Sequence, residues 1–254
     1  MTEDHVWQPL ADALQRWRDS GQQPVFWLRD DDAIERTKPM ERLVDLTADF
    51  RVPIALAVIP AHADPGLASY VDGRKHVRPV VHGWTHENHA PADQKKQELG
   101  PHRPAGMVLD ELRQSLAKMD DLFARWSPVL VPPWNRIDAA LTPSLREVGF
   151  SALSVFGPPK PAALPLVNST IDIMDWHGTR GCRPHAALVA EIVAQLEAAR
   201  VGHAPAIGVL THHLVHDEAA WVFLERLFAE TAGLCRWVDV DELLAEDAAT
   251  PGSR

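Results

Sequence analysis

The feature of this sequence that most constrains its fold is a regular alternation of short apolar runs with longer stretches of helical spacing. The apolar runs predict seven or eight strands, at residues 24–28, 53–59, 77–81, 129–131, 152–156, 169–173, 206–210 and 236–238. Apolar residues three or four positions apart predict helices between them, at residues 39–50, 67–71, 108–126, 142–149, 184–199 and 217–228. Such an alternation implies a parallel sheet with helical crossovers.

Polar residues at the ends of these runs favour a closed barrel over an open sheet. They stand at or just after the carboxyl ends of five different predicted strands: residues 30–32, His82, residues 133–134, Asp172 and His212. An open sheet concentrates its site at one switch point between two strands, whereas a barrel collects residues from many strand ends. We therefore expect a TIM-like α/β barrel.

The length of 254 residues fits one large α/β domain. Residues 1–23 have apolar positions at helical spacing, which predicts an amphipathic helix packed on the barrel. Residues 24–245 are expected to form the barrel itself. Residues 246–254 are mostly small or polar and predict a flexible tail.

Charge and cysteine content narrow the range of partners and compartments. The formal net charge is −10 and the basic residues are scattered, so neither nucleic acid nor an anionic membrane is an expected partner. The chain has two cysteines, and no secretory signal or apolar run of transmembrane length is visible near its start. We therefore expect a cytoplasmic location.

The clearest chemical signal is the pair His82 and His86 after the third predicted strand. Histidines four residues apart share one side of a helical turn, and imidazoles with a carboxylate from another segment suit a catalytic divalent metal with an open position. The alternative is a polar loop that is histidine-rich by chance, since the chain contains 13 histidines.

Three consecutive aspartates, Asp30, Asp31 and Asp32, end the first predicted strand. Carboxylates so close together raise one another's pKa values unless a cation neutralises them, and a metal ion would do so. An acidic helix cap, or a cluster paired with Arg29, is the alternative.

Three further strand ends carry candidate catalytic groups. His212 suits a general acid because imidazole titrates near neutral pH, and Asp172 is a carboxylate that could orient it. Two prolines before Trp134 fix the chain, so that its N–H group could point rigidly at a developing oxyanion. Each of these three residues has an ordinary structural explanation as a core or turn residue.

Taken in order, these segments resemble the five motifs of the polysaccharide deacetylase family, the NodB-homology carbohydrate esterases, over about residues 24–240. The matching residues are Asp31 and Asp32, His82 and His86, Pro133 and Trp134, residues 172–176 (Asp-Ile-Met-Asp-Trp), and residues 210–212 (Leu-Thr-His). The resemblance implies a distorted (β/α)7 barrel that hydrolyses N-acetyl or related amide and ester bonds with a divalent metal, often zinc.

Two departures from the family pattern affect the expected roles. A triplet replaces the paired aspartates, so the resemblance allows Asp31 as base with Asp32 as ligand, which we prefer, or Asp30 with Asp31. Val131 stands where the family's third motif has an arginine that pairs with the catalytic aspartate. Either Arg136 or Arg29 could replace it.

The resemblance thus implies a metal-dependent deacetylase of carbohydrate metabolism. Asp32, His82 and His86 would hold Zn²⁺, or Co²⁺, Ni²⁺ or Mn²⁺. Asp31 would be the general base, Trp134 the oxyanion donor, and His212, oriented by Asp172, the general acid. The expected substrate is an acetylated sugar. The alternatives are a metal-dependent amidase acting on a small cytoplasmic amide and a barrel that has lost catalysis and binds sugar.

Overall fold

The structure, a computed structural model, describes residues 3–201 and 206–249 and contains a curled parallel sheet. Its strands are β1 (Val25–Ala33), β2 (Ile54–Val58), β3 (Val77–Val81), β4 (Val129–Leu130), β5 (Ala152–Leu153), β6 (Ile171–Asp172), β7 (Ile207–Thr211) and β8 (Arg236–Trp237). Seven of them follow the order β5-β4-β3-β2-β1-β7-β6, and β8 pairs with the start of β1. The predicted distorted (β/α)7 barrel in a single α/β domain is confirmed.

The segment before β6 links the two ends of this sheet. Leu166 forms a parallel bridge to Leu153, the last residue of β5, and Ser169 forms one to Phe156 just beyond it. On the other side, the Thr170 N–H donates to the Gly208 carbonyl in β7 at 2.8 Å. The short, irregular strands β5 and β6 are therefore joined through residues 166–170, which accounts for the distortion of the barrel.

Eight α-helices surround the sheet in the described part of the chain. They are α1 (Glu3–Asp19), α2 (Lys38–Asp49), α3 (Pro65–Asp72), α4 (Ala105–Leu122), α5 (Leu145–Val148), α6 (His185–Val201), α7 (Glu218–Thr231) and α8 (Val240–Ala249). Helix α1 buries Trp7, Leu10, Leu14 and Trp17, and the Trp17 indole donates to the Leu196 carbonyl in α6 at 3.2 Å. The N-terminal helix thus lies on the outer helical layer.

Helix α8 was not predicted from the sequence. The Asp239 side chain accepts from the Glu242 N–H at 2.8 Å, which caps its first turn, and Val240 is buried. The helix continues to Ala249, past the predicted start of the tail at residue 246, and residues 250–254 lie outside the described residues.

The barrel interior is filled by small residues and one tryptophan. A buried cluster contains Trp27, Ala55, Ala57, Val80, Val129, Val131, Ala152, Val167, Val238 and Val240. A methyl group added at Gly208 would collide with the indole nitrogen of Trp27 and lie 2.6 Å from the Asn168 carbonyl oxygen, so Trp27 requires glycine there. The interior below the carboxyl ends of the strands is therefore packed, and the polar chemistry is confined to that end.

Candidate functional site

The structure brings Asp32, His82 and His86 together at the carboxyl ends of β1 and β3. Nε2 of His82 lies 3.1 Å and Nε2 of His86 lies 3.3 Å from the same oxygen of Asp32, Oδ1. One ligand atom from each residue lies within 4.8 Å of the other two. The His82 side chain is 2% exposed, whereas those of His86 and Asp32 are 21% and 34% exposed, so the cluster opens towards solvent on one side.

The hydrogen bonds of His82 suit a metal ligand. Its Nδ1–H donates to the Val131 carbonyl at 2.9 Å, which leaves the lone pair of the neutral ring on Nε2, facing Asp32. A hydrogen bond of this kind from the other ring nitrogen fixes the tautomer and orientation of metal-bound histidines. An imidazole lone pair facing a carboxylate requires a positive charge between them, so the donor set fits a divalent cation.

The electrostatics of the cluster lead to the same conclusion. Burial opposes the charge on His82, but the Nε2–H of the protonated ring can donate to Asp32, and this bond and the charges of Asp31 and Asp32 outweigh burial and raise its pKa. Burial likewise opposes ionisation of Asp32, but the hydrogen bond from His82 and the nearby imidazoles lower its pKa. The site therefore favours a cation, either a proton or a metal ion, beside the ionised carboxylate.

A bulge in β1 determines how the aspartate triplet is oriented. Asp30 pairs with Leu56 and Ala33 pairs with Val58, so three steps along β1 match two along β2. Asp32 has a left-handed backbone, with φ of 74°. Because a bulge of this kind breaks the alternation of side chains, Asp32 reaches His82 and His86 although its neighbour Asp31 also faces the site.

Asp31 is paired with Arg29 from the same strand. Nε of Arg29 lies 2.9 Å from Oδ1 and Nη2 lies 3.0 Å from Oδ2, and both side chains are almost fully buried. Arg29 also donates to Asn135 Oδ1 at 2.7 Å and to Ser154 Oγ at 2.8 Å. Of the two arginines considered as partners of Asp31, Arg29 is therefore the one that pairs with it. Arg136, the other candidate, donates instead to the Lys96 carbonyl at 2.9 Å.

Asp30 is turned away from this pair and binds His213. One carboxylate oxygen accepts from the His213 ring Nδ1–H at 2.5 Å and the other accepts from its main-chain N–H at 2.8 Å. Both side chains are buried. Burial raises the pKa of Asp30, although His213 acts in the opposite direction. Asp30 thus ties β1 to the turn that carries His212.

His212 lies beside Asp31, with its Nε2 3.9 Å from Asp31 Oδ2. Among the described residues, Asp172 accepts hydrogen bonds from the Trp176 indole at 2.8 Å and from the Met174 N–H at 2.9 Å, and none from His212, so its orienting role stays a prediction. The Trp176 ring then meets the His212 ring edge-on at 4.6 Å between centroids. Trp176 therefore lies between Asp172 and His212 and contacts both.

Trp134 lies in a strained turn next to the cluster. Trp134 and Asn135 both have left-handed backbones, with φ of 55° and 56°, as does His86 at 60°. The Trp134 ring lies 4.3 Å from the His86 ring between centroids. Left-handed non-glycine residues are unfavourable and concentrate at functional sites, where the surrounding structure enforces them.

Three residues of the site were missed in the sequence. Asn135 and Ser154 hold Arg29, and Glu98 accepts main-chain N–H groups within the turn between His82 and His86. Asn135 stands next to Trp134 and could have been noticed there. Ser154 and Glu98 carry no local signal, because their contacts join segments far apart in the chain.

No protein-family model matches this sequence, and no curated protein matches it. Solved structures do match. A Mycobacterium smegmatis protein assigned as a polysaccharide deacetylase is 18% identical, with a TM-score of 0.61, over 83% of this chain and 77% of that chain. A family 4 acetyl xylan esterase from Clostridium thermocellum, in complex with a cobalt ion, is 15% identical, with a TM-score of 0.53, over 88% and 92% of the two chains.

A third similar structure is a pseudoenzyme of the same esterase family from Bacillus anthracis. It is 13% identical, with a TM-score of 0.57, over 87% of this chain and 66% of that chain. At identities of 13–18%, these likenesses concern the fold. The resemblance inferred from the five sequence motifs is thus confirmed at the level of the fold.

Proposed function

Because the chain has the fold of the polysaccharide deacetylases, we propose that it is a metal-dependent hydrolase that removes an N- or O-linked acetyl group from a carbohydrate. The observation that carries this proposal is the convergence of Asp32, His82 and His86 on one point, beside Asp31 and His212. The similar structures include enzymes named for acetylated polysaccharides, which supports a sugar as substrate.

Asp32, His82 and His86 would hold the ion. One carboxylate oxygen and two imidazole nitrogens leave coordination positions open, as catalytic sites require, and they suit Zn²⁺, Co²⁺, Ni²⁺ or Mn²⁺. A bound divalent ion supplies a Lewis acid that polarises the acyl carbonyl and makes water more acidic.

The remaining chemistry belongs to side chains at the same end of the barrel. We assign Asp31 as the general base that takes a proton from the attacking water, with its carboxylate held by Arg29. His212 is assigned as the general acid that gives a proton to the departing nitrogen or oxygen, since its Nε2 faces the same space as Asp31.

The main-chain N–H of Trp134 is assigned as the oxyanion donor. The N–H groups of the next two residues, Asn135 and Arg136, already donate to the carbonyls of Pro132 and Pro133 at 2.9 and 3.2 Å. These bonds hold the turn in its left-handed conformation, so the direction of the Trp134 N–H is fixed before substrate binds.

The fold alone does not guarantee catalysis, as the Bacillus anthracis pseudoenzyme shows. The alternative of a barrel that has lost catalysis and binds sugar would tolerate loss of ligand or base residues. This chain has a complete set of three ligand atoms and a buried, paired Asp31, and a catalytic role is therefore the better proposal.

The test is metal-dependent release of acetate. Protein stripped with a chelator and reloaded with Zn²⁺, Co²⁺, Ni²⁺ or Mn²⁺ would be assayed on N-acetylated chito-oligosaccharides, O-acetylated xylo-oligosaccharides and a panel of small amides. We expect acetate from a sugar substrate and none with His86→Ala. Turnover of small amides alone would support the amidase alternative, and metal binding without any turnover would support the sugar-binding one.

No helix within residues 3–201 and 206–249 is long and apolar enough to cross a membrane. The expected cytoplasmic location stays a prediction.

A further inference from the structure

Glu98 is a buried carboxylate that the proposed reaction does not use. It lies in the long loop between β3 and α4 and is 1% exposed. Its Oε1 accepts from the main-chain N–H groups of Trp84 at 3.1 Å and Thr85 at 2.8 Å. Its Oε2 is buried and has no hydrogen-bond partner among the residues that the structure describes. A buried carboxylate is unfavourable unless it is well paired, so its position calls for a specific explanation.

The two N–H groups that Glu98 holds belong to the turn between the proposed ligands His82 and His86. This turn has left-handed backbone at Gly83, with φ of 64°, and at His86. Ser115 Oγ, buried in α4, donates to the Gly83 carbonyl at 2.8 Å. The turn is therefore held at its first peptide by Ser115 and at its middle by Glu98.

Glu98 also fills the space that a side chain at residue 83 would occupy. A methyl group added at Gly83 would collide with Glu98 Oε2 and would lie 2.7 Å from Cγ of Pro133. The carboxylate thus packs directly on the backbone that follows His82. Pro133, which begins the turn carrying Trp134, packs against the same point.

No ion pair with Glu98 is present among the described residues. Arg103 donates to the Glu98 main-chain carbonyl at 3.4 Å, but its guanidinium pairs with Glu111 at 2.6 Å. The donors that reach the Glu98 carboxylate are the Trp84 and Thr85 N–H groups and the Thr85 hydroxyl at 3.3 Å. Its contacts therefore all go to the turn that carries the ligands.

We propose that Glu98 is a positioning residue for the metal centre, which holds the turn in the conformation that places His86 opposite Asp32. The inference rests on the proposed metal site. By accepting the N–H groups of the two residues before His86, Glu98 fixes the left-handed turn before an ion binds. Supporting contacts of this kind typically change metal affinity by about 10–100-fold when they are removed.

The experiment measures Co²⁺ affinity by competition with a chromophoric chelator, together with the d–d absorption spectrum, which reports the geometry of the ligands. Glu98→Ala is expected to bind Co²⁺ about 10–100-fold more weakly than wild type and with an altered spectrum. Asp93→Ala is the matched control. It removes an exposed carboxylate from the same loop and should leave both readouts unchanged.

Two further variants separate position from charge and apply even if Glu98→Ala does not fold. Glu98→Gln keeps an acceptor oxygen at full reach, and we expect near wild-type affinity and spectrum. Glu98→Asp keeps the charge but withdraws the carboxylate, and we expect weaker binding than with Glu98→Gln. The inference would be overturned if Glu98→Asp bound Co²⁺ as tightly as Glu98→Gln or more tightly. Wild-type affinity and spectrum in Glu98→Ala would overturn it as well. Failure of wild type to bind Co²⁺ would instead refute the metal site itself.

Discussion

The guanidinium of Arg29 and the carboxylate of Asp31 form a buried, two-point ion pair between residues only two positions apart on one strand. Both side chains face the carboxyl end of the barrel, where Asn135 and Ser154 accept two further N–H groups of Arg29. The partner of the proposed base is thus supplied by its own strand. Val131, where the resembled family has its arginine, is buried and apolar.

Removing Arg29 should leave the Asp31 carboxylate buried without its counter-charge. We expect Arg29→Met to lower the free energy of unfolding by about 3–5 kcal/mol, as measured by urea denaturation in chelator. The double variant Arg29→Met/Asp31→Leu should be more stable than Arg29→Met alone. Arg136→Met, which removes one hydrogen bond to the Lys96 carbonyl, should cost about 1 kcal/mol. Similar losses in Arg29→Met and Arg136→Met would contradict the pairing.

The orientation of the aspartate triplet predicts opposite effects for two neighbouring substitutions. Asp31→Asn should keep Co²⁺ binding but lose turnover by roughly 10²–10⁴-fold, because the general base is removed. Asp30→Asn should mainly lose stability, by about 1.5–3 kcal/mol, because two hydrogen bonds from His213 no longer reach a charged acceptor. Acetate release, Co²⁺ titration and urea unfolding on both variants provide the check, and the reverse pattern would assign the base to Asp30.

Metal binding should stabilise the folded protein through the Asp32, His82 and His86 cluster. At a free ion concentration about 100-fold above the Kd, the folded state gains about 2.7 kcal/mol. At roughly 2–4 °C per kcal/mol, this corresponds to an increase in Tm of roughly 5–11 °C. Thermal melts of chelator-treated protein with and without Zn²⁺ would measure it. His86→Ala should show no increase, and an equal increase there would place the ion among the chain's other histidines.

The assignment of His212 as general acid predicts a dependence on the leaving group. His212→Ala should lower kcat on an N-acetylated sugar by about 10²–10⁴-fold, because the departing amine needs a proton. The loss should be much smaller on 4-nitrophenyl acetate, whose leaving group departs as a stable anion. Steady-state kinetics on both substrates test this, and equal losses would show that His212 serves binding rather than proton transfer.

His216 predicts how stability changes with pH. Burial, with a smaller contribution from the nearby His213 and His212, lowers its pKa from 6.5 to about 3. The unfolded chain therefore takes up a proton between about pH 6.5 and 3 that the folded chain does not. The free energy of unfolding is therefore not reduced by His216 above about pH 6.5. It falls on acidification below this pH, by up to about 1.4 kcal/mol per pH unit.

The matched comparison uses His216→Gln, whose amide can still reach Thr211, the hydrogen-bond partner of His216 Nε2. Urea unfolding at pH 7 and pH 5 should show a steeper loss of stability for wild type than for the variant. Parallel losses in the two proteins would show that His216 titrates normally.

The alternation of strands and helices predicted the barrel, because buried parallel strands are continuous apolar runs that can be read locally. The sequence pattern could not show which way the side chains of Asp30, Asp31 and Asp32 point. A regular strand alternates its side chains between two faces, which would place Asp30 and Asp32 on the same face. The bulge that breaks the alternation depends on the pairing of β1 with β2. Helix α8 was missed because its few apolar positions contribute to the core only once β8 joins β1.

The roles that relied on distant contacts were the least predictable. His82, His86 and Asp32 come together because each lies at, or shortly after, the carboxyl end of β1 or β3. Asp172 was expected against His212, but the Trp176 indole occupies its carboxylate. Glu98 stands close to Lys95 and Lys96 in a polar loop, and nothing in this segment indicates that it packs on Gly83.

The contact between Gly83 and Glu98 has an evolutionary consequence. Any side chain at residue 83 would collide with the Glu98 carboxylate and with the Pro133 ring, and it would have to adopt a left-handed backbone, so a shorter residue at position 98 does not make room for it. A shorter residue at 98 would only leave the turn between the proposed ligands unsupported. Related chains that keep the proposed metal centre are therefore expected to keep Gly83 and Glu98 together.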